Sequence, residues 1–189
     1  MPGADDRSIV NLSVVKSALA ISSTDGTHDE LLNTLISSVS EAAEQFIGRS
    51  IVAKVETAKL YDGDGTDTLL VEPPIIKVTT LLNDSVAIPS TDYNLYAQTG
   101  RIVWTKGLFS DGPQTVSLTY THGWNVEDIP APIKLAVLKW VCYEWYEFSK
   151  DRIGVSSKSA GDETITYEKG IPEEARQLLM PYRITRFGS

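Results

Sequence analysis

Residues 51–71 read IVAKVETAKLYDGDGTDTLLV, with runs of β-branched, aliphatic and aromatic residues on either side of an Asp-Gly loop. Such runs predict antiparallel strands, and Asp-Gly is a strong signal for a hairpin turn between two of them. Similar short runs continue to residue 121, with another hairpin turn predicted at Gln98–Gly100. We therefore predict an antiparallel β meander over about residues 50–121.

Apolar residues three and four positions apart precede and follow the meander, which is the period of an amphipathic α-helix. The predicted helices cover about residues 11–21, 28–48, 130–149 and 172–180. Asn11 is a suitable N-cap for the first helix, and Gly48 is placed to end the second. Thr27 and Glu30 form a predicted capping box at the start of that second helix.

The elements together predict an α+β fold, with a small helical core, an inserted β meander and an extended C-terminal tail. The helical core with its insertion covers residues 1–150. Residues 151–170 are polar and show little periodicity, so we predict a flexible polar linker. Residues 171–189 form the C-terminal helix and tail.

The predicted helix at 130–149 is apolar on more than one face. Such a helix must be covered on more than one side, and a domain of this size offers one main core. The second side is covered either by the β region or by another subunit. The candidate residues for a subunit interface are Leu135, Leu138, Cys142 and Trp145.

The chain has 25 acidic and 17 basic residues and a net charge of −8. This balance argues against a nucleic-acid reader, although a protein past which DNA slides without sticking benefits from the repulsion. One cysteine excludes an internal disulfide framework. Without an apolar run of 18 residues or a signal-peptide pattern, we expect a soluble cytoplasmic product.

The chain offers little for catalysis. His28 and His122 are the only histidines available as a general base, and no nucleophile elbow or phosphate-binding loop occurs. Cys142 lies in an apolar helical run, where cysteine is usually a small buried hydrophobe. No histidine or cysteine pair has zinc spacing. We therefore expect no enzyme and no cofactor.

The loop carboxylates Asp62, Asp64 and Asp67 suggest a calcium site as an alternative. Counted from Asp62, a helix–loop–helix calcium loop requires an oxygen ligand at position 5, Gly at 6 and Glu at 12. Those positions hold Thr66, Asp67 and Pro73. The residues therefore favour a turn between strands over a structural metal site.

The C-terminus is basic and aromatic, because no acidic residue follows Glu174. Such a tail is typical of a docking segment or of a frayed terminus, and composition alone favours the frayed terminus.

Four stretches, in order along nearly the whole chain, resemble the phage head–tail connector family, whose members are also called adaptor or head completion proteins. They are VNLSVVKSALAI with DELLNTLISSVSEAAEQFIGRS, KLYDGDGTDTLLVEPPIIKVTTL, YTHGW with IPAPIKLAVLKWVCYEWYEF, and GIPEEARQLLMPYRITRF. Two features depart from the family pattern: His122 replaces a smaller residue, and the polar segment 151–170 is long.

The resemblance implies a virion protein of the head–tail interface, made in the host cytoplasm. Family members form a ring, usually of about twelve subunits, beneath the portal of a DNA-filled capsid. The implied partners are the portal protein, a tail or stopper protein, and DNA that passes without sequence-specific binding. The family docks its C-terminal segment on the portal, which gives the candidate portal-binding residues Leu178, Leu179, Pro181, Tyr182, Arg183, Arg186 and Phe187.

Other functions stay open at this point. The chain fits a tail-completion or stopper protein lower in the connector. A calcium-binding β module that uses the loop aspartates is a weaker alternative, and a hydrolytic enzyme is weaker still for want of a base.

Overall fold

The structure is a computed structural model that describes residues 8–149, 157–160, 163–166 and 170–184. The chain divides into two compact units. A helical unit has the sequence limits Met1–Gly48 and Ile129–Ser189, and a β unit covers Arg49–Asp128. The predicted β insertion is thus a compact unit of its own.

The helical unit contains α1 (Leu12–Ala18), α2 (Asp29–Ile47), α3 (Ala131–Ser149) and α4 (Glu173–Leu179), and a 3-10 turn (Met180–Tyr182) follows α4. All four helices lie where the apolar period predicted them. Each contributes buried side chains: Val15, Leu32, Ile36, Val39, Ala43, Ile47, Ile133, Ala136, Val137, Val141, Ala175 and Leu179. Gly48 ends α2 in the left-handed conformation, with φ of 81°, as predicted.

The start of α2 differs from its prediction. Its N-cap is His28, which makes no side-chain cap bond. Thr27 donates its backbone N–H and its hydroxyl to Asp25 Oδ1, at 3.0 and 2.6 Å, so the capping box with Glu30 is wrong. Asp25 accepts these two donors because a short carboxylate side chain bonds readily to the backbone two residues later.

Lys16 of α1 stabilises the entry to α2. Its side chain is only 5% exposed, and its Nζ lies 2.5 Å from Asp29 Oδ1 and 2.7 Å from the Asp25 carbonyl oxygen. A buried ammonium group is stable only when it is paired and hydrogen-bonded, and both conditions are met here. The pair therefore joins α1 to the first turn of α2.

The β unit contains β1 (Lys54–Gly63), β2 (Thr68–Leu70), β3 (Ile75–Asn83), β4 (Val86–Ala87), β5 (Tyr93–Tyr96), β6 (Arg101–Trp104) and β7 (Gly112–His122). They form two antiparallel sheets with the strand orders β1-β7-β3-β4 and β2-β6-β5. The β5–β6 hairpin confirms the turn predicted at Gln98–Gly100, since Gly100 has φ of 68°. Side chains of both sheets form one core: Leu69, Val71, Ile75, Leu81, Ile88, Ile102, Phe109, Val116, Leu118 and Tyr120.

The prediction of a hairpin around the Asp-Gly loop is wrong. β1 pairs with β7 and β2 pairs with β6, so the loop carries the chain from one sheet to the other. A turn signal specifies that the chain reverses, but the partner of each strand is chosen by burial across the whole unit. At Gly63 a Cβ atom would lie 1.9 Å from the Ser110 carbonyl oxygen, so the glycine permits this close approach.

Two further strands, β8 (Ser157–Ala160) and β9 (Glu163–Thr166), pair antiparallel within the segment predicted as a flexible linker. The remainder of that linker prediction, at 150–156, 161–162 and 167–169, lies outside the described residues. The chain is a mixed α+β protein, as predicted. No helix in the described ranges is long and apolar enough to cross a membrane.

Replacement of Lys16 by Ala is expected to lower the free energy of unfolding by about 2 kcal/mol, because it removes a buried, charged donor that bonds to the Asp25 carbonyl oxygen and pairs with Asp29, whose side chain is 37% exposed. Urea unfolding monitored by circular dichroism measures the change. Lys106→Ala is the control: its partner is Asp92, its side chain is exposed, and its loss is expected to cost less than about 0.5 kcal/mol. Equal losses for the two variants would contradict the role of Lys16.

Candidate functional site

The C-terminal segment is tied to the helical unit at both ends of α4. Ala175 and Leu179 are fully buried, while Leu178 and Tyr182 are half-buried and Pro181 is exposed. Leu179 therefore anchors the segment within its own subunit. Arg186 and Phe187, which the family resemblance also gives as portal-binding candidates, lie outside the described residues.

After the 3-10 turn, the chain lies against the C-terminal end of α2. The Ile184 N–H donates to the Ile47 carbonyl oxygen at 2.8 Å. The Arg183 guanidinium lies 5.5 Å from the ring centroid of Phe46. Because α2 has no basic residue in its last turn, Arg183 places a cation near the negative end of the helix dipole. No pattern in the sequence predicted this contact.

The outer face of α3 combines exposed and half-buried apolar side chains. Leu135 and Tyr146 are 44% and 47% exposed, whereas Leu138 and Cys142 are half-buried. Leu138, Cys142 and Tyr146 are spaced four residues apart, so they form one stripe along the helix. Tyr146 continues this stripe, although the sequence analysis did not include it among the candidate interface residues. Burial raises the pKa of the Cys142 thiol, which keeps it neutral and weakly nucleophilic.

This stripe lines a groove of about 540 Å³ whose other walls are the end of α1 and the start of α4. Ala18 and Pro172 contribute apolar surface to it. An ion pair between Lys139 and Glu174 lies at its polar side, and the hydrogen bond from Lys139 lowers the pKa of Glu174. Trp145 is separate from the groove lining, and its ring packs edge-on against His28 with centroids 5.0 Å apart.

The three aspartates are hydrogen-bonded within the β unit. Asp64 Oδ1 accepts hydrogen bonds from the Thr66 N–H and hydroxyl, which lower the pKa of Asp64. Asp62 Oδ1 accepts the Gln114 N–H at 2.8 Å, and Asp67 accepts the Thr68 hydroxyl. Within the described ranges, no three His, Cys, Asp or Glu side chains are grouped to hold a metal ion. The hydrogen bonds support the role of a shaped turn.

His122, at the end of β7, is fully buried and stacks on Tyr120. Its Nε2 lies 3.7 Å from Glu56 and its Nδ1 lies 3.6 Å from Glu72, and neither nitrogen makes a hydrogen bond to any described residue. Burial lowers the pKa of His122, although Glu72 and Glu56 oppose the shift. The imidazole is therefore neutral at pH 7 and fills space in the β unit.

The family model described as "Head completion protein" matches residues 8–185, which include the four motifs except for the last two residues of the fourth. Among solved structures, one protein in the "Neck of empty GTA particle computed with C6 symmetry" is similar, with a TM-score of 0.66 and 16% identity over 98% of this chain and 94% of that one.

A second similar structure is the "Neck of native GTA particle computed with C12 symmetry", with a TM-score of 0.64, 14% identity and coverage of 98% and 94%. A third is the "Virion of native gene transfer agent (GTA) particle", with a TM-score of 0.61, 15% identity and coverage of 94% and 91%. These likenesses show a shared fold. No curated protein matches the chain in sequence.

The stability of the protein is expected to fall as the pH drops from 7 to 5. The pKa of His122 is lower in the folded than in the unfolded chain, so the unfolded chain binds more protons below pH about 6.5. The titration of His122 is expected to lower the free energy of unfolding by at most about 1.4 kcal/mol per pH unit. Urea unfolding at pH steps measures it.

His122→Phe keeps a stacked ring and removes the titrating group, so its slope between pH 6.5 and 5 is expected to be flatter. The same slope in His122→Phe as in the wild type would refute a titrating role for His122.

Proposed function

The chain belongs to the head completion protein family, and from this membership we propose that it forms a ring beneath the portal of a phage-like particle. The family consists of virion structural proteins, and the chain is a head–tail connector, as the four motifs predicted. The match over residues 8–185 is the observation that carries this conclusion. The proposed ring extends the DNA channel and joins the head to the tail.

The proposed ring has twelve subunits. The similar neck structures were computed with C6 and C12 symmetry, which supports a closed ring. The stripe on α3 supplies an apolar surface for a neighbouring subunit, and the proposed contacts are Leu135, Leu138, Cys142 and Trp145, with Tyr146 added. Apolar, aromatic surface of this kind is typical of the buried centre of an interface.

The proposed upper partner is the portal protein, and the lower partner is a tail or stopper protein. The portal contacts are Leu178, Pro181, Tyr182, Arg183, Arg186 and Phe187, with Leu179 as their anchor. DNA passes through the channel without sequence-specific binding, which suits a chain with a net charge of −8.

A tail-completion or stopper protein is the second candidate, because the family match does not distinguish levels of the connector. Immunoblots of fractionated particles separate the two. The adaptor is expected on tailless, DNA-filled heads, whereas a tail-completion protein is expected on isolated tails.

Deletion of residues 181–189 is expected to leave a folded subunit, because Ala175 and Leu179 remain in the core, but to abolish binding to portal rings. Co-sedimentation with purified portal rings measures binding, and circular dichroism verifies the fold. A truncated protein that still bound the portal would show that the tail is not the contact.

Leu135→Asp is expected to prevent ring closure on the portal without unfolding the subunit, because this side chain is largely exposed. Leu108→Asp, at an exposed position of the β unit, is the matched control and is expected to assemble. Class averages of portal complexes report the number of subunits bound. Complete rings of Leu135→Asp would rule out this face as the interface.

A further inference from the structure

We infer that the C-terminal segment is already held on the end of α2 in the free subunit, and that it forms there a docking patch for an acidic partner surface. The patch consists of Phe46, Met180, Pro181 and Arg183, and we refer to it as the α2-end patch. The identity of the partner as the portal rests on the proposed function; the preformed state of the patch does not.

The backbone holds the segment in place. The last carbonyl groups of a helix have no partner within the helix and need one from elsewhere. In α2, Gly48 turns the chain away, and the Ile47 carbonyl oxygen accepts the N–H of Ile184. The preceding Arg183 N–H donates to the Met180 carbonyl oxygen, which closes the 3-10 turn. Successive amides are thus bonded before any partner is present.

The Arg183 side chain lies over an aromatic ring, and its guanidinium has no polar partner among the described residues. Its guanidinium lies over Phe46, at 5.5 Å from the ring centroid, which is a cation–π arrangement. The side chain is exposed, and its guanidinium makes no hydrogen bond or ion pair to any residue within the described ranges. A guanidinium presents five donors in a planar fork that matches a carboxylate. Arg183 is therefore oriented and available for an acidic group.

The surface beside Arg183 is apolar and exposed. Met180 is 47% exposed and Pro181 is also exposed, in contrast to the buried Leu179 one position earlier. Arginine and methionine are enriched at protein interfaces. Between Arg176 and the end of the chain the sequence contains no acidic residue that would neutralise Arg183. The complementary partner surface carries a carboxylate flanked by apolar side chains.

A preformed patch binds without the entropic cost of ordering a free tail. The segment therefore docks as a rigid extension of α2, and it does not fold onto the partner from a disordered state. This distinction is measurable in the isolated subunit, because bonded amides exchange their hydrogens slowly.

Ile184→Pro tests the hydrogen bond from the Ile184 N–H to the Ile47 carbonyl oxygen, because proline has no N–H. Arg183 has φ of −69° and ψ of 130°, the extended conformation that a residue before proline requires, so the substitution removes the N–H without a clash at Arg183. Ile184→Val keeps the N–H and is the matched control. In hydrogen exchange of the free subunit, the amides of Arg183 and Ile184 are expected to be protected in the wild type and in Ile184→Val. In Ile184→Pro, which has no amide at residue 184, the Arg183 amide is expected to exchange faster.

The same variants are compared for affinity to purified portal rings by biolayer interferometry. Ile184→Pro is expected to bind about tenfold more weakly, because the segment must be ordered on binding, whereas Ile184→Val is expected to match the wild type. Wild-type amides that exchange as in a free peptide, or an unchanged affinity of Ile184→Pro, would overturn the preformed patch.

Arg183→Glu and Arg183→Lys test the chemistry of the partner. Arg183→Glu is expected to weaken portal binding at least about tenfold and to flatten the dependence of affinity on salt, with Arg183→Lys intermediate. If the wild type binds and Arg183→Glu binds equally well, the acidic partner surface is wrong while the connector function stands. If the wild type does not bind the portal, the proposed portal contact fails together with the partner part of this inference.

Discussion

The last carbonyl groups of α2 need hydrogen-bond partners from outside the helix, and this requirement fixes where the C-terminal segment lies. At Gly48 the helix stops in a left-handed conformation, and from there the chain enters the β unit. The carbonyl oxygen of Ile47 has no partner within the helix. Ile184, near the other end of the sequence, donates its N–H to this oxygen. Three features therefore coincide at Ile47 and Gly48: α2 ends, the chain continues into the β unit, and the C-terminal segment is hydrogen-bonded.

The proposed contacts lie on exposed surfaces of the helical unit. The chain's one fully buried histidine fills space beside two carboxylates. Asp64 and Asp67 bond to neighbouring threonines, and Asp62 accepts the Gln114 N–H. By contrast, α3 exposes apolar side chains along a groove, and the tail exposes a cation beside methionine and proline. A connector requires such surfaces because each subunit must contact its neighbours and the partners above and below it.

Local patterns predicted the parts of the fold that depend on local interactions. The apolar period located all four helices, and Gly48 and Gly100 were identified because a left-handed residue ends a helix or a turn. The capping box failed because Asp25 accepts the Thr27 N–H that the Glu30 side chain would have accepted, and also the Thr27 hydroxyl. The sequence analysis grouped Leu138 and Cys142 on one face of α3, and the structure adds Tyr146 to the same stripe; its role as a subunit interface stays a prediction.

The sequence by itself determined the fold class, the family and the existence of an α3 that is apolar on two faces, because periodicity and ordered motifs are readable one segment at a time. Only the tertiary structure decided that the Asp-Gly loop joins two sheets, that Lys16 is buried, and that Arg183 lies on Phe46. Each of these depends on contacts between residues distant in sequence. Such contacts are selected by the burial of the whole unit, and no single stretch of sequence encodes that burial.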